Sequence, residues 1–447
     1  MKLWQKDNAG ATLQNIIKFT VGKDRELDVL LAPFDVLGSM AHAIMLEKVG
    51  LLSSAELTQL LQASKRIFAK IEAGEFEIDE HVEDVHSQVE FILTEELGDV
   101  GKKIHSGRSR NDQVLVDMKM YLRYRIQRIS ALMKQWFEAL MEKSELHKND
   151  LLPGYTHLQI AMPSSFGLWF AAYAESLGDD LVNLKAAFDN VNRNPLGSGA
   201  GYGSSFPLER KLTTALLGFD GMNTNVVYAQ MTRGKTEYAV LSALSHLANT
   251  IGKFAMDVCL YNSQNFGFID LPTEMTTGSS IMPHKKNPDI AEILRGRANI
   301  LKVAHMELSS LLTNLPSGYH RDLQLLKEIT LPALDNFEEC LEMVVFMTQN
   351  MKAKKDLLND KKYDLLFSVE NVNAMVTQGV PFRDAYKRIG EEIIAGNFEP
   401  LRDLDHSLEG SIGNLMNEEI KSRFESIYSS FPFDKIDEAF KALLSRT

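Results

Sequence analysis

Cysteine is scarce in this chain. Cys259 and Cys340 are the only two among 447 residues, they stand far apart, and no CxxC or Cys/His cluster accompanies them. A disulfide framework and a zinc site are thereby excluded, and both residues read as buried thiols. Long apolar runs are missing too. None reaches the roughly 18 residues of a membrane-spanning helix, and residues 1–8 (MKLWQKDN) lack the apolar stretch of a secretory signal, so a soluble, cytoplasmic chain is expected. Positive charge is in deficit: Lys and Arg total 48 against 60 for Asp and Glu, a formal net charge of -12. That balance argues against nonspecific binding to nucleic acid or to an anionic membrane. An acidic protein that binds an anionic small molecule must instead gather its cations and backbone N–H groups into one pocket. Sustained strand-like alternation, internal repeats and low-complexity tracts are also lacking.

What is present is helical periodicity. Leu115, Met118, Leu122, Ile126, Ile129, Met133, Trp136 and Leu140 advance in steps of three and four, one stripe of a long helix. A second stripe runs through Phe166, Trp169, Tyr173, Leu177, Leu181, Leu184, Phe188 and Val191. Further long helices are expected over about 238–261, 290–312 and 326–347. A shorter one near 53–73 opens on the capping pattern Ser53-x-x-Glu56 and stops at Gly74. The predicted fold is all-α, with three helical domains: 1–107, a central long-helix bundle over 108–355, and a small C-terminal domain over 356–447. Such long stripes would stay exposed unless subunits shared them, so an obligate oligomer is expected.

Polar, glycine-containing stretches interrupt the helices at residues 105–111 (HSGRSRN), 154–159 (GYTHLQ), 195–205 (PLGSGAGYGSS) and 277–289 (TGSSIMPHKKNPD). Helix starts and glycine-rich backbone offer unpaired N–H groups, and Arg or Lys adds formal charge, a combination suited to a dianionic substrate. In the last stretch Ser279 is a candidate base, provided that N–H dipoles and Lys285 stabilise its alkoxide; the same loop also reads as a solvated helix cap. His157 is the best-placed acid or base among the histidines, or else a structural one. Arg108 and Arg110 could clamp a carboxylate with Asn111 beside them, or form a solvated turn paired with Asp112. Glu292 could polarise an imidazole from another segment, or simply pair with Arg295. Tyr319, Gln324 and Lys327 lie where a loop meets a helix, within reach of a substrate or merely as a polar junction.

Taken together and in this order, these segments resemble the fumarase/aspartase superfamily over nearly the whole chain. Residues 278–288 match its loop GSSxMPxKxNP without exception. Within the superfamily, SGRSRNDQ (106–113), GYTHLQ with Pro163, PLGSGA and GVPFR (379–383) are similar to the argininosuccinate lyase branch, and EDVHS (83–87) with Glu90 adds an N-terminal segment near the site. The resemblance implies Ser279 as catalytic serine, with Lys285 and Asn287 on the substrate carboxylate. His157 is implied as the acid/base histidine and Glu292 as its partner. Ser109, Arg110, Asn111, Thr156, Tyr319, Gln324 and Lys327 are implied as substrate contacts. It further implies elimination of argininosuccinate to fumarate and arginine, a step of arginine biosynthesis, through an aci-carboxylate carbanion without metal or organic cofactor. The assembly implied is a homotetramer with active sites shared between subunits.

The chain departs from the branch at Met231-Thr232-Arg233-Gly234 (commonly Ser-Asp-Arg-Asp), at His284, across 320–326, and at Asp24, which stands where a substrate-contacting serine is usual. These departures surround the amino-acid end of the substrate more than the elimination chemistry. They motivate two competitors: a related fumarate-releasing lyase acting on a modified argininosuccinate, and a catalytically silent, crystallin-like relative.

Overall fold

The computed structural model describes residues 11–404 and 406–446; residues 1–8, read above for a secretory signal, lie outside them. The first long helix, α1 (Ala32–Lys48), is buried on nearly every face. It ends a helical stretch, Lys18–Lys48, whose length and mean hydropathy of 1.7 would suffice to cross a membrane, a feature that interspersed polar residues hide in the sequence. Its apolar window is 83% buried inside the protein, as a core helix requires. Helix α2 (Ser54–Glu72) starts at the expected capping box, with Ser53 and Glu56 exchanging hydrogen bonds, and gives way at Gly74, whose φ of +71° suits a residue without Cβ. Asp84 caps α3 (Val85–Leu97).

The centre is built from α4 (Arg110–Leu146), α5 (Phe166–Val191), α6 (Lys235–Asn262), α7 (Asp289–Leu301), α8 (Ala304–Leu311) and α9 (Leu326–Asn350). Their apolar stripes meet as the periodicity predicts. Trp136 of α4 donates from Nε1 to Thr348 Oγ1 of α9 at 3.0 Å, and Trp169 of α5 stacks on Phe254 of α6 at 5.4 Å. The helix expected over 290–312 is divided: Val303 N bonds back to Ile300 O and Met306 N to Val303 O, a tight turn that separates α7 from α8. Of the two thiols Cys340 is buried, but Cys259 is only half-buried, within the field of Arg295 and Glu292.

Strands are few and short among the described residues. The longest pair, β1 (Leu151–Thr156) and β2 (Gln159–Ser165), forms an antiparallel hairpin directly before α5. After α9, α10 (Ser368–Thr377) and α11 (Phe382–Ala395) enclose a small cluster of Val372, Ala385 and Ile389. Helices α12 (Asn417–Tyr428) and α13 (Phe433–Ser445) return to the main core, where Phe424 stacks on Phe137 of α4 at 3.9 Å.

Candidate active site

The chain presents its chemistry-bearing residues in separate places. At the start of α4, Ser109 is the N-cap: its Oγ accepts from Asn111 N at 3.3 Å, while Asp112 Oδ1 accepts from Ser109 N at 2.8 Å. The other oxygen of Asp112 accepts from Gly197 N and Gly199 N, each at 2.9 Å. The glycine-rich loop therefore aims two of its N–H groups at the chain's own carboxylate, not at a substrate. Positive φ at Gly197 and Gly199 lets those N–H groups converge. Arg110 donates to Asp84 Oδ2 at 2.6 Å, which fixes its guanidinium beside the cap of α3. Burial, the largest influence on Asp84, would raise its carboxyl, but His86 and Arg110 outweigh it and hold the group below the usual range. The Asn111 amide makes no hydrogen bond among the described residues and stays available.

Arg108 differs from both of its sequence readings, a carboxylate clamp or a solvated turn paired with Asp112. It turns inward, Nη1 donating to Ser39 Oγ at 2.9 Å, next to a buried cluster on α1, α3 and α4. There His86 Nδ1 lies 2.7 Å from Asp35 Oδ1 and 3.4 Å from Asp117 Oδ2. Burial disfavours the His86 imidazolium, yet Asp35 more than compensates and raises it; Asp117 is pushed well above the carboxylate range by burial and by Asp35. Among the described residues this is the only His/Cys/Asp/Glu group whose donor atoms converge closely enough for a metal. Its 2.7 Å contact and the neighbouring guanidinium make it a hydrogen-bonded ionic cluster, with Nδ1 already engaged by Asp35. The sequence marks residues 83–87 but not this cluster, because Asp35 and Asp117 come from other helices.

Next to it, Lys327 is buried between two carboxylates, with Nζ 2.8 Å from Asp24 Oδ1 and 2.5 Å from Asp28 Oδ1. Arg233 lies over the Tyr319 ring at 4.9 Å, and Gln324 Nε2 donates to Thr20 O at 2.7 Å and Val21 O at 3.2 Å. Asp28 also accepts from Val85 N at 3.3 Å, and Glu83 pairs with Arg321 at 2.8 Å, so this cluster adjoins the Arg110 side of the site. Burial drives the Asp24 carboxyl up to about 6 despite Lys327.

Thr156 and His157 stand at the exposed tip of the β1–β2 hairpin, where Thr156 pairs with Gln159. His157 and Leu158 both take left-handed backbone, φ 56° and 58°, the two-residue turn that closes such a hairpin. The sequence reading has His157 in a turn before a long helix; a whole strand lies between them. In the loop before α7, Ser279 Oγ accepts from Ile281 N at 3.4 Å and Met282 N at 3.1 Å. Lys285 is exposed on the same loop, and Asn287 is held by paired backbone bonds with Thr277. Glu292 is half-exposed and lies 3.9 Å from Arg295. No hydrogen bond or ion pair among the described residues joins the hairpin tip to the serine loop, or either of them to Arg110.

The family model for a lyase family matches residues 2–301. Argininosuccinate lyase of Bacteroides fragilis is 56% identical over 445 residues, 100% of this chain and 99% of that protein. Argininosuccinate lyase of Stenotrophomonas maltophilia is 37% identical over 95% of this chain and 99% of its own length. Among solved structures, an EDDS lyase variant with bound fumarate superposes with a TM-score of 0.74 at 19% identity, covering 96% of this chain and 92% of that one. A class II fumarase from Schistosoma mansoni gives 0.68 at 14%, covering 93% of this chain and 95% of that one. At such identities these two structures speak for the fold.

Proposed function

Because the chain belongs to the argininosuccinate lyases of the fumarase/aspartase superfamily, its reaction is the elimination of argininosuccinate to fumarate and L-arginine, and we propose that Ser279 is the base that begins it. The observation that carries this assignment is the pair of backbone N–H groups directed at Ser279 Oγ. A serine hydroxyl is far too weak a base unless its alkoxide is stabilised, and N–H dipoles with a neighbouring ammonium provide that. Proton removal next to a carboxylate leaves an aci-carboxylate carrying an extra negative charge. Lys285 and the amide of Asn287 receive it. His157, polarised by Glu292, protonates the departing guanidino nitrogen directly or through water. Ser109, Arg110, Asn111 and Thr156 hold the succinate part, and Tyr319, Gln324 and Lys327 the amino-acid end. The substrate's own carboxylate is the electron sink, so the scheme uses no metal or organic cofactor.

The separation of these groups within one chain supports a homotetramer whose sites draw on several subunits. Apolar residues left exposed along α7, α8 and α9, among them Ile293, Ile300, Met306 and Phe346, support it also. We place the domain limits near 107 and 355 and the protein in the cytoplasm.

The test is to mix the purified protein with argininosuccinate, with neither metal nor cofactor added, and follow fumarate by its ultraviolet absorbance while arginine is assayed in the same tube. Joint appearance of both products is expected. Fumarate released from a modified argininosuccinate, with neither product from argininosuccinate itself, would favour the second reading, which Asp24 beside Lys327 motivates. No fumarate from either compound with a folded oligomer would leave the silent, crystallin-like reading.

A further inference from the structure

The end of α5, the segment 222–228 and the start of α6 line a cavity of about 470 Å³, and none of the residues given a role in the proposed mechanism is among its lining. Its lining contains the cations Arg193 and Lys235 and otherwise mainly amides and hydroxyls, with no carboxylate among the lining residues. Neither cation has an ion-pair partner among the described residues; Lys235 meets Tyr228, its hydroxyl at 3.4 Å and its ring at 5.2 Å. In a chain whose net charge is -12, two unpaired cations at one cavity are a concentration of positive field without an internal counter-ion.

The floor is oriented for donation. Lys119, buried behind it, places Nζ 2.9 Å from Asn223 Oδ1. An ammonium has only donors, so the Asn223 atom that faces it must be the oxygen, and the NH2 is left for the cavity. Asn225 is arranged likewise: its Oδ1 accepts from Tyr228 N at 3.0 Å, which leaves its amide N–H groups free. The nearest buried carboxylate, Glu237, accepts from Gly234 N at 2.8 Å and does not line the cavity.

We propose that this cavity is a binding site for a small polyanion bearing phosphate or carboxylate groups, held by Arg193 and Lys235 against the Asn223 and Asn225 amides and distinct from the substrate site. Charge-assisted bonds from two cations onto prearranged neutral donors are the usual means of gripping such groups. Lys119 adds to the field: burial first, then Glu237, Arg193 and Arg123, shape its ammonium, and the balance brings it down to about 7, so an anion nearby would stabilise its charged form.

Calorimetric titration of the full-length oligomer at low ionic strength, with inorganic phosphate in one series and propane-1,2,3-tricarboxylate in another, tests this and separates the two sources of anion. Saturable binding of at least one is expected. It should weaken at least about tenfold in Arg193→Gln/Lys235→Gln, the loss of two charge-assisted contacts. Lys285→Ala/Asn287→Ala, which disables the proposed carboxylate grip of the substrate site, should bind as the wild type does. Asn223→Asp, which keeps an acceptor for Lys119 but replaces the donor, should lose binding as well and serves if the double variant fails to assemble. Absence of binding for both anions, unchanged affinity in the cavity variants, or loss of binding in Lys285→Ala/Asn287→Ala would overturn the proposal.

Discussion

Ser279 differs from an ordinary loop serine in the company its oxygen keeps. Two N–H groups converge on it, whereas His157 at the hairpin tip has no hydrogen-bond or ion-pair partner for its imidazole among the described residues. Under the proposed roles, Ser279→Ala and His157→Asn should each lower turnover about 10²- to 10⁴-fold while leaving the assembly folded, as judged by circular dichroism and sedimentation. A wild-type rate in either variant removes that residue from the mechanism. Asp24 calls for a different measurement. Its folded-state pKa, about 6, lies above the ordinary carboxyl value of 3.8, so its contribution favours folding most at low pH and is lost as pH rises from about 4 through 6. Asp24→Asn cannot ionise. Its stability relative to wild type should rise across that window, by up to about 3 kcal/mol, as read from denaturant melts of both proteins at each pH. A constant gap would mean that Lys327 holds Asp24 ionised throughout. Neither environment was legible in the sequence. The strings around Lys327 and Arg108 mark residues worth watching, but Lys327 meets Asp28 across 299 positions and Arg108 meets Ser39 across 69. Such pairings are set by how helices pack, to which local spacing is blind.

The long helices were the most legible elements, since an apolar stripe in steps of three and four, sustained over many turns, fits the helical period and not that of a strand. The hairpin of residues 151–165 was not, because Pro153 pairs with Pro163, the register shifts before Tyr155, and much of it is exposed, so no apolar alternation develops. The glycine-rich loop was recognised as a nest for an anion, but the anion proved to be Asp112, whose two oxygens tie the loop to the cap of α4. That link should be structural and stringent. Asp112→Asn has the same shape but sets an NH2 group against backbone N–H, leaving at least one buried donor unsatisfied. A loss of about 2–3 kcal/mol is expected from urea unfolding. Activity should fall with it, because Ser109 and Asn111 move with the cap. Unchanged stability would show that the loop N–H groups are free to find another acceptor.

At the scale of the whole molecule, the separation of the hairpin tip, the serine loop and the start of α4 decides what an assembly must do. Each belongs to a different part of one long-helix framework, and no hydrogen bond or ion pair among the described residues joins any two of them. If the tetramer completes the site, His157 and Ser279 of any one site come from different subunits. Two defects in different chains are then not additive. Mixing His157→Asn with Ser279→Ala, each inactive alone, and reassembling them at equal concentration distributes both chains at random among the tetramers. A site then receives an intact His157 in about half of cases and an intact Ser279 in about half, so about a quarter of wild-type activity should return. Turnover of the mixture before reassembly provides the baseline. The double variant, carrying both changes in one chain, should give no recovery when reassembled with either single variant, because a site then always lacks one group. Recovery near a quarter in the first mixture and none in the second would place the two groups on separate subunits. No recovery in the first would mean that one chain supplies both, through a movement of the hairpin toward the serine loop.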